Sequence, residues 1–80
     1  MRVRRGEFAK PGEYKTTRVT HSNQLRSGSA VLEKNGFVAV VYDVYTDTEI
    51  SLCAEGYHSK GDMVERDGMT DISEIELIKY

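Results

Sequence analysis

The clearest hydrophobic pattern runs through residues 37–45, Phe-Val-Ala-Val-Val-Tyr-Asp-Val-Tyr. Read at a period of two, it is apolar on both sides. Phe37, Ala39, Val41 and Tyr45 point one way, and Val38, Val40, Tyr42 and Val44 the other. Such a strand is central and needs cover on both faces. Asn35-Gly36 separates it from a second β-rich run, residues 29–34. Asn-Gly between two such runs signals a hairpin, because a type I′ turn needs positive φ at both central residues. That turn sets a register: Lys34 opposite Phe37, Leu32 opposite Ala39, Ala30 opposite Val41, and Val31 opposite Val40 on the other face. A further turn at Thr46-Asp47-Thr48 leads into residues 49–55, where Ile50, Leu52 and Ala54 alternate with Ser51, Cys53 and Glu55. Residues 29–55 thus form a three-stranded antiparallel meander.

The flanks are weaker in pattern. Pro11-Gly12 reads as a turn, since proline presets its first corner and glycine accepts positive φ at its second. Residues 14–20, rich in Thr, Val and Tyr, read as an exposed strand. Residues 21–29 are polar and loop-like, and residues 56–62 form another loop. Residues 63–66 read as a short strand ended by an Asp67-Gly68 turn. In the tail, Asp71 followed by Glu74 offers a helical capping box. The β-branched run after it favours a final strand over residues 74–79.

These elements predict a mainly β fold with little helix. It is either a small antiparallel meander or an SH3-like or OB-like, partly closed barrel. A flatter meander with the basic leading segment laid over one face competes with it. Eighty residues make a single domain, 1–80, that buries only about 60% of the surface its unfolded chain exposes. If residues 1–28 do not cover the two-faced strand, a second copy of the chain must, and a homodimer is expected.

Charge changes the picture more than composition does. Residues 1–30 hold seven cations against two anions, a net of +5, whereas residues 31–80 hold four against eleven, a net of −7. A split of this size points to charged partners. Residues 1–13 are read as a flexible basic arm. In that reading Arg2, Arg4, Arg5, Lys10, Lys15 and Arg18 contact phosphates, while Phe8 and Tyr14 stack on unpaired bases. The competing reading has the basic segment lie against the acidic half of its own domain. Glu55, Asp62, Glu65, Asp67, Asp71, Glu74 and Glu76 crowd the last third and suit contact with a basic surface on another protein.

Chemistry-bearing motifs are sparse. Cys53 is the single cysteine, so no disulfide within the chain is possible, and its alternation places it as a packing residue. The two histidines, His21 and His58, show no metal-ligand spacing. Asp43 and Asp47 flank a strand end as turn residues rather than as an acid–base pair. Gly56 and Gly61 have phosphate-loop spacing, but Asp62 stands where lysine belongs. No cofactor is implied, and the expected class is not an enzyme. The longest apolar run is far below the roughly 20 residues of a membrane span. A lone cysteine fits a reducing, cytoplasmic setting. The leading expectation is a binding module acting on another protein, as an inhibitor or accessory protein. Its partner-binding residues would be Tyr57, His58, Lys60 and Asp62 in the glycine-flanked loop. Nucleic-acid binding through the basic segment is the alternative.

Overall fold

The computed structural model describes residues 3–54 and 64–79. Six strands build one antiparallel sheet: β1 (Thr16–Arg18), β2 (Ala30–Glu33), β3 (Val38–Val44), β4 (Glu49–Leu52), β5 (Thr70–Asp71) and β6 (Ile75–Ile78). Their order across the sheet is β1-β6-β2-β3-β4-β5. The expected meander is β2-β3-β4. The sheet does not close into a barrel. Helix among the described residues amounts to two 3-10 turns, Ser22–Gln24 and Ile72–Glu74.

The Asn35-Gly36 hairpin forms, but with a longer loop than a type I′ turn allows. Gly36 has φ +91°, while among the described residues none other than glycine has positive φ, so Asn35 does not supply the second left-handed corner. The Gly36 N–H donates to the Glu33 carbonyl at 2.9 Å, and the Glu33 N–H to the Phe37 carbonyl at 2.9 Å. Lys34, Asn35 and Gly36 together are the loop, a turn closed by one left-handed glycine. The register therefore moves by one residue. Ala30 pairs with Val40, Val31 with Ala39, and Leu32 with Val38. A one-residue slip exchanges the faces of a whole strand. It is Val31, rather than Ala30 and Leu32, that joins Ala39 and Val41 in the main core.

A second correction lies within β3. Val41 pairs with Leu52, but Asp43 pairs with Ser51 and Val44 with Ile50, so a residue is inserted at Tyr42. The bulge reverses the alternation beyond it. Val44, expected on the face opposite Val41, packs against the same core as Val41. Tyr45 is exposed instead.

Each face of the central strands is covered by the leading third of the chain. On one face Val19 and Leu25 join Val31, Phe37, Ala39, Val41, Ile50, Leu52, Ile72 and Ile75. On the other, Val3 and Tyr14 pack with Ala30, Val38 and Ile78, and Ala9 and Leu32 add to them. The stated reason for needing a second copy, an uncovered face, is thereby removed. Residues 3–13, read from the sequence as an arm, lie along the sheet. The Gly6 N–H donates to the Val38 carbonyl, the Val38 N–H to the Glu7 carbonyl, and the Ala9 N–H to the Gly36 carbonyl, all at 2.8–2.9 Å. They occupy the edge of β3 at Phe37 and Val38, ahead of its pairing with β4, which starts at Val41. The Pro11-Gly12 turn is present, closed by the Glu13 N–H to the Lys10 carbonyl at 3.0 Å with Gly12 at φ +75°.

The tail takes the strand, preceded by a single 3-10 turn in which Asp71 caps but Glu74 does not complete a capping box. The Asp71 carboxylate accepts the Ser73 N–H at 2.9 Å and caps the 3-10 turn Ile72–Glu74. The strand β6 follows at once and enters the sheet between β1 and β2.

Candidate functional site

The sheet order sets a group of exposed cations at one end and a group of exposed carboxylates toward the other, with Glu76 of β6 standing among the cations opposite Arg18. β1 is one terminal strand and β5 the other. Beside β1 stand Lys15, Arg18 and Lys79, all exposed. Near β5 and the β3–β4 turn stand Asp43, Asp47, Glu49, Glu65, Asp67 and Asp71, also exposed. Glu49 and Asp71 lie directly opposite one another in the ladder, an arrangement that destabilises pairing. The Ser73 hydroxyl and N–H stabilise the Asp71 carboxylate and hold it below the usual range. The opposed charges persist because one of them is engaged locally.

Contacts do not cancel the two excesses. Arg4 pairs inside its own segment, with Glu13 at 2.6 Å and Glu7 at 3.0 Å. Lys34–Glu74 at 3.6 Å and Arg66–Glu33 at 3.0 Å lie inside the acidic half. His21 Nε2 approaches Asp47 Oδ1 at 3.4 Å and links the halves. Lys10, Lys15, Arg18, Arg26 and Lys79 form no ion pair among the described residues.

The proposed nucleic-acid residues are separated by this geometry. The guanidinium of Arg4 is held by two carboxylates, and the Arg4 backbone N–H donates to the Tyr14 hydroxyl at 2.9 Å. Tyr14 is only 8% exposed and has no ring face to offer a base. Phe8 is 61% exposed, its ring edge-on to Phe37 with centroids 5.2 Å apart. Arg5 is half-buried and Lys10 exposed, both in the covering segment. Lys15 and Arg18 are on and beside the edge strand. Arg2, Tyr57, His58, Lys60 and Asp62 lie outside the described residues.

Lys79 was not among the residues singled out from the sequence. It is brought to Lys15 by a backbone hydrogen bond, Lys79 N–H to Lys15 carbonyl, at 2.8 Å. That bond fixes which amides of β1 face inward. In an antiparallel ladder inward-facing residues alternate. Lys15 and Thr17 turn their backbone groups toward β6, so Thr16 and Arg18 turn theirs outward. Among the described residues nothing pairs with that outer side.

Other concentrations of chemistry are modest. Tyr45 donates its hydroxyl to Glu65, which raises the tyrosine pKa and, with help from Ser51, lowers that of the carboxylate. The Ser51 hydroxyl, buried beneath this pair, has no hydrogen bond of ordinary length. Cys53 is buried at 4% exposure, and burial pushes its thiol up despite the opposing charge of Arg66. A raised pKa disfavours the thiolate needed for nucleophilic attack. A groove of about 280 Å³ runs between residues 32–34 and 73–76. It is below the usual size of a small-molecule pocket, and the Lys34–Glu74 pair lies along it. No group of three or more His, Cys, Asp or Glu side chains among the described residues is placed to hold a metal ion. No helix among them is long and apolar enough to cross a membrane.

Comparison with known proteins returns no match: no family model, no curated protein and no solved structure is significantly similar to the chain.

Proposed function

We propose that this chain is a small non-enzymatic binding module that works through protein–protein contacts, in the manner of an inhibitor or accessory protein. The observation that carries this reading is the pair of oppositely charged sheet edges whose excess charges are left uncancelled. Charge held at separate ends of a rigid sheet steers encounter with partners of opposite sign and selects among them. The nucleic-acid alternative is weakened by two findings: Tyr14 is buried and Arg4 is already engaged. Stacking on unpaired bases needs aromatic faces beside free cations, and of Phe8 and Tyr14 only Phe8 is exposed for it.

Affinity capture on the immobilised chain tests the reading, using lysate of the source organism with and without nuclease, at low and high salt. The expected result is a discrete protein retained after nuclease treatment. Capture that disappears with nuclease, or whose affinity falls with salt at a slope of several phosphate contacts, overturns it in favour of nucleic acid.

A further inference from the structure

We infer that the outer edge of β1 is a docking strand for an extended acidic segment of a partner protein, which adds to the sheet as a further strand. The inference rests on the protein-contact reading above and names the partner's chemistry.

Three observations converge on this edge. The backbone donors and acceptors of Thr16 and Arg18 face outward and are unpaired among the described residues. Strand addition takes its affinity from such groups and its specificity from the side chains around them. The side chains here are cationic on one face of the sheet, whereas on the other Arg18 stands opposite the carboxylate of Glu76. Lys15 and Lys79 share the face of Thr17 and Leu77, while Arg18 shares that of Glu76. An incoming strand with acidic residues at every second position lays them all on one side, against Lys15 and Lys79. Finally, Thr16 and Thr17 give the edge a compact, β-favouring surface between the two charged positions.

The charges also exclude other occupants. Two copies paired through β1 would bring Lys15 and Arg18 of each against those of the other, and like charges in register are repelled. The acidic edge of a second copy is a poor fit. β5 is only two residues long, and its Asp71 carboxylate is already occupied by Ser73.

The test uses the full chain, 15N-labelled, and three probes. One is a ten-residue peptide alternating Glu with Val and Thr. The second replaces each Glu by Lys, and the third is oligodeoxythymidine. The acidic peptide is expected to bind saturably, and to shift the amides of Thr16 and Arg18 and slow their hydrogen exchange. The lysine peptide is expected not to bind. Thr16→Pro removes an outward donor at an edge position where proline is tolerated. It is expected to weaken binding about tenfold, the equivalent of one hydrogen bond. Thr16→Val loses the 2.7 Å bond to Glu76 but keeps its N–H, and is expected to bind like the parent. Reversing Lys15, Arg18 and Lys79 to glutamate is expected to exchange the peptide preference. Absence of saturable binding overturns the inference, as does equal binding by Thr16→Pro. Acidic-peptide binding that leaves the β1 amides unprotected removes the docking strand but keeps a protein-binding module. Oligodeoxythymidine binding without peptide binding removes both.

Discussion

Arg4 and Glu13 share two hydrogen bonds across the Pro11-Gly12 turn: Nε donates to Oε2 at 3.0 Å and Nη2 to Oε1 at 2.6 Å. The Lys10 N–H adds a third to Oε1 at 2.9 Å. Arg4 first, and the Lys10 amide second, pull the Glu13 carboxyl down to about 2. A carboxyl that titrates lower in the folded state gives up stability as acid is added, because the unfolded chain takes the proton first. The contribution is complete above about pH 4.5 and disappears as pH falls toward 2. Glu13→Gln is therefore expected to be less stable than the parent at pH 6, with the two converging toward pH 2. Denaturant midpoints across that range measure it. A gap that stays constant with pH assigns the effect to the turn's hydrogen bonds and not to the charge.

The hairpin loop separates two adjacent positions. Gly36 sits at φ +91°, and a Cβ added there would meet its nearest atom, the Ala9 carbonyl oxygen, at an ordinary 3.7 Å. Conformation alone sets the cost, so Gly36→Ala is expected to lose about 1–2 kcal/mol. Asn35 accepts the Phe37 N–H on its side-chain oxygen at 3.0 Å and has no positive φ to satisfy. Asn35→Asp keeps that acceptor and is expected to stay within about 0.5 kcal/mol of the parent. Equal losses at both positions would restore the two-corner turn.

Val3 tests the role of the leading segment as cover. It is 7% exposed against Tyr14, Ala30, Val38 and Ile78. Val3→Ala removes about two methylene equivalents from that contact and is expected to cost about 1.5 kcal/mol. Tyr14→Phe deletes the acceptor of the Arg4 N–H and is expected to cost about 1 kcal/mol. Chemical unfolding of both variants gives the values. No loss from Val3→Ala means that Val3 is not part of the cover over Ala30, Val38 and Ile78.

The thiol of Cys53 reports on opening. Buried and with its pKa raised by desolvation, it is expected to react with an aromatic disulfide reagent far more slowly than a free cysteine at the same pH. Full reactivity is expected once denaturant passes the unfolding midpoint. Immediate labelling of the folded chain contradicts its burial at the end of β4.

What was legible in the sequence was local. The Pro11-Gly12 turn, the β2–β3–β4 meander and the strand at β6 each follow from residues near one another in the chain. Three features were not legible. Asn35-Gly36 announces a hairpin but is compatible with either a two- or a three-residue loop, and that single residue decides which side of β2 is buried. The bulge at Tyr42 inserts a residue without disturbing composition, so the run around Val41 and Val44 looks like one unbroken alternation. The meeting of Lys15 with Lys79 depends on a pairing between remote parts of the chain, which no local pattern encodes. The charge asymmetry itself was visible as numbers, and only the sheet order turned it into two edges.

The position of β6 between β1 and β2 has a consequence for how the chain is made. A ribosome releases residues 16–18 early, yet their neighbour in the sheet, residues 75–78, emerges much later. Pairings that span most of a chain are slow to close. The meander can assemble on its own schedule, while the leading strand waits without a partner until residues 75–78 have emerged. The final strand thus acts as a keystone, and a nascent chain stalled before Ile75 holds its basic strand open to whatever is nearby.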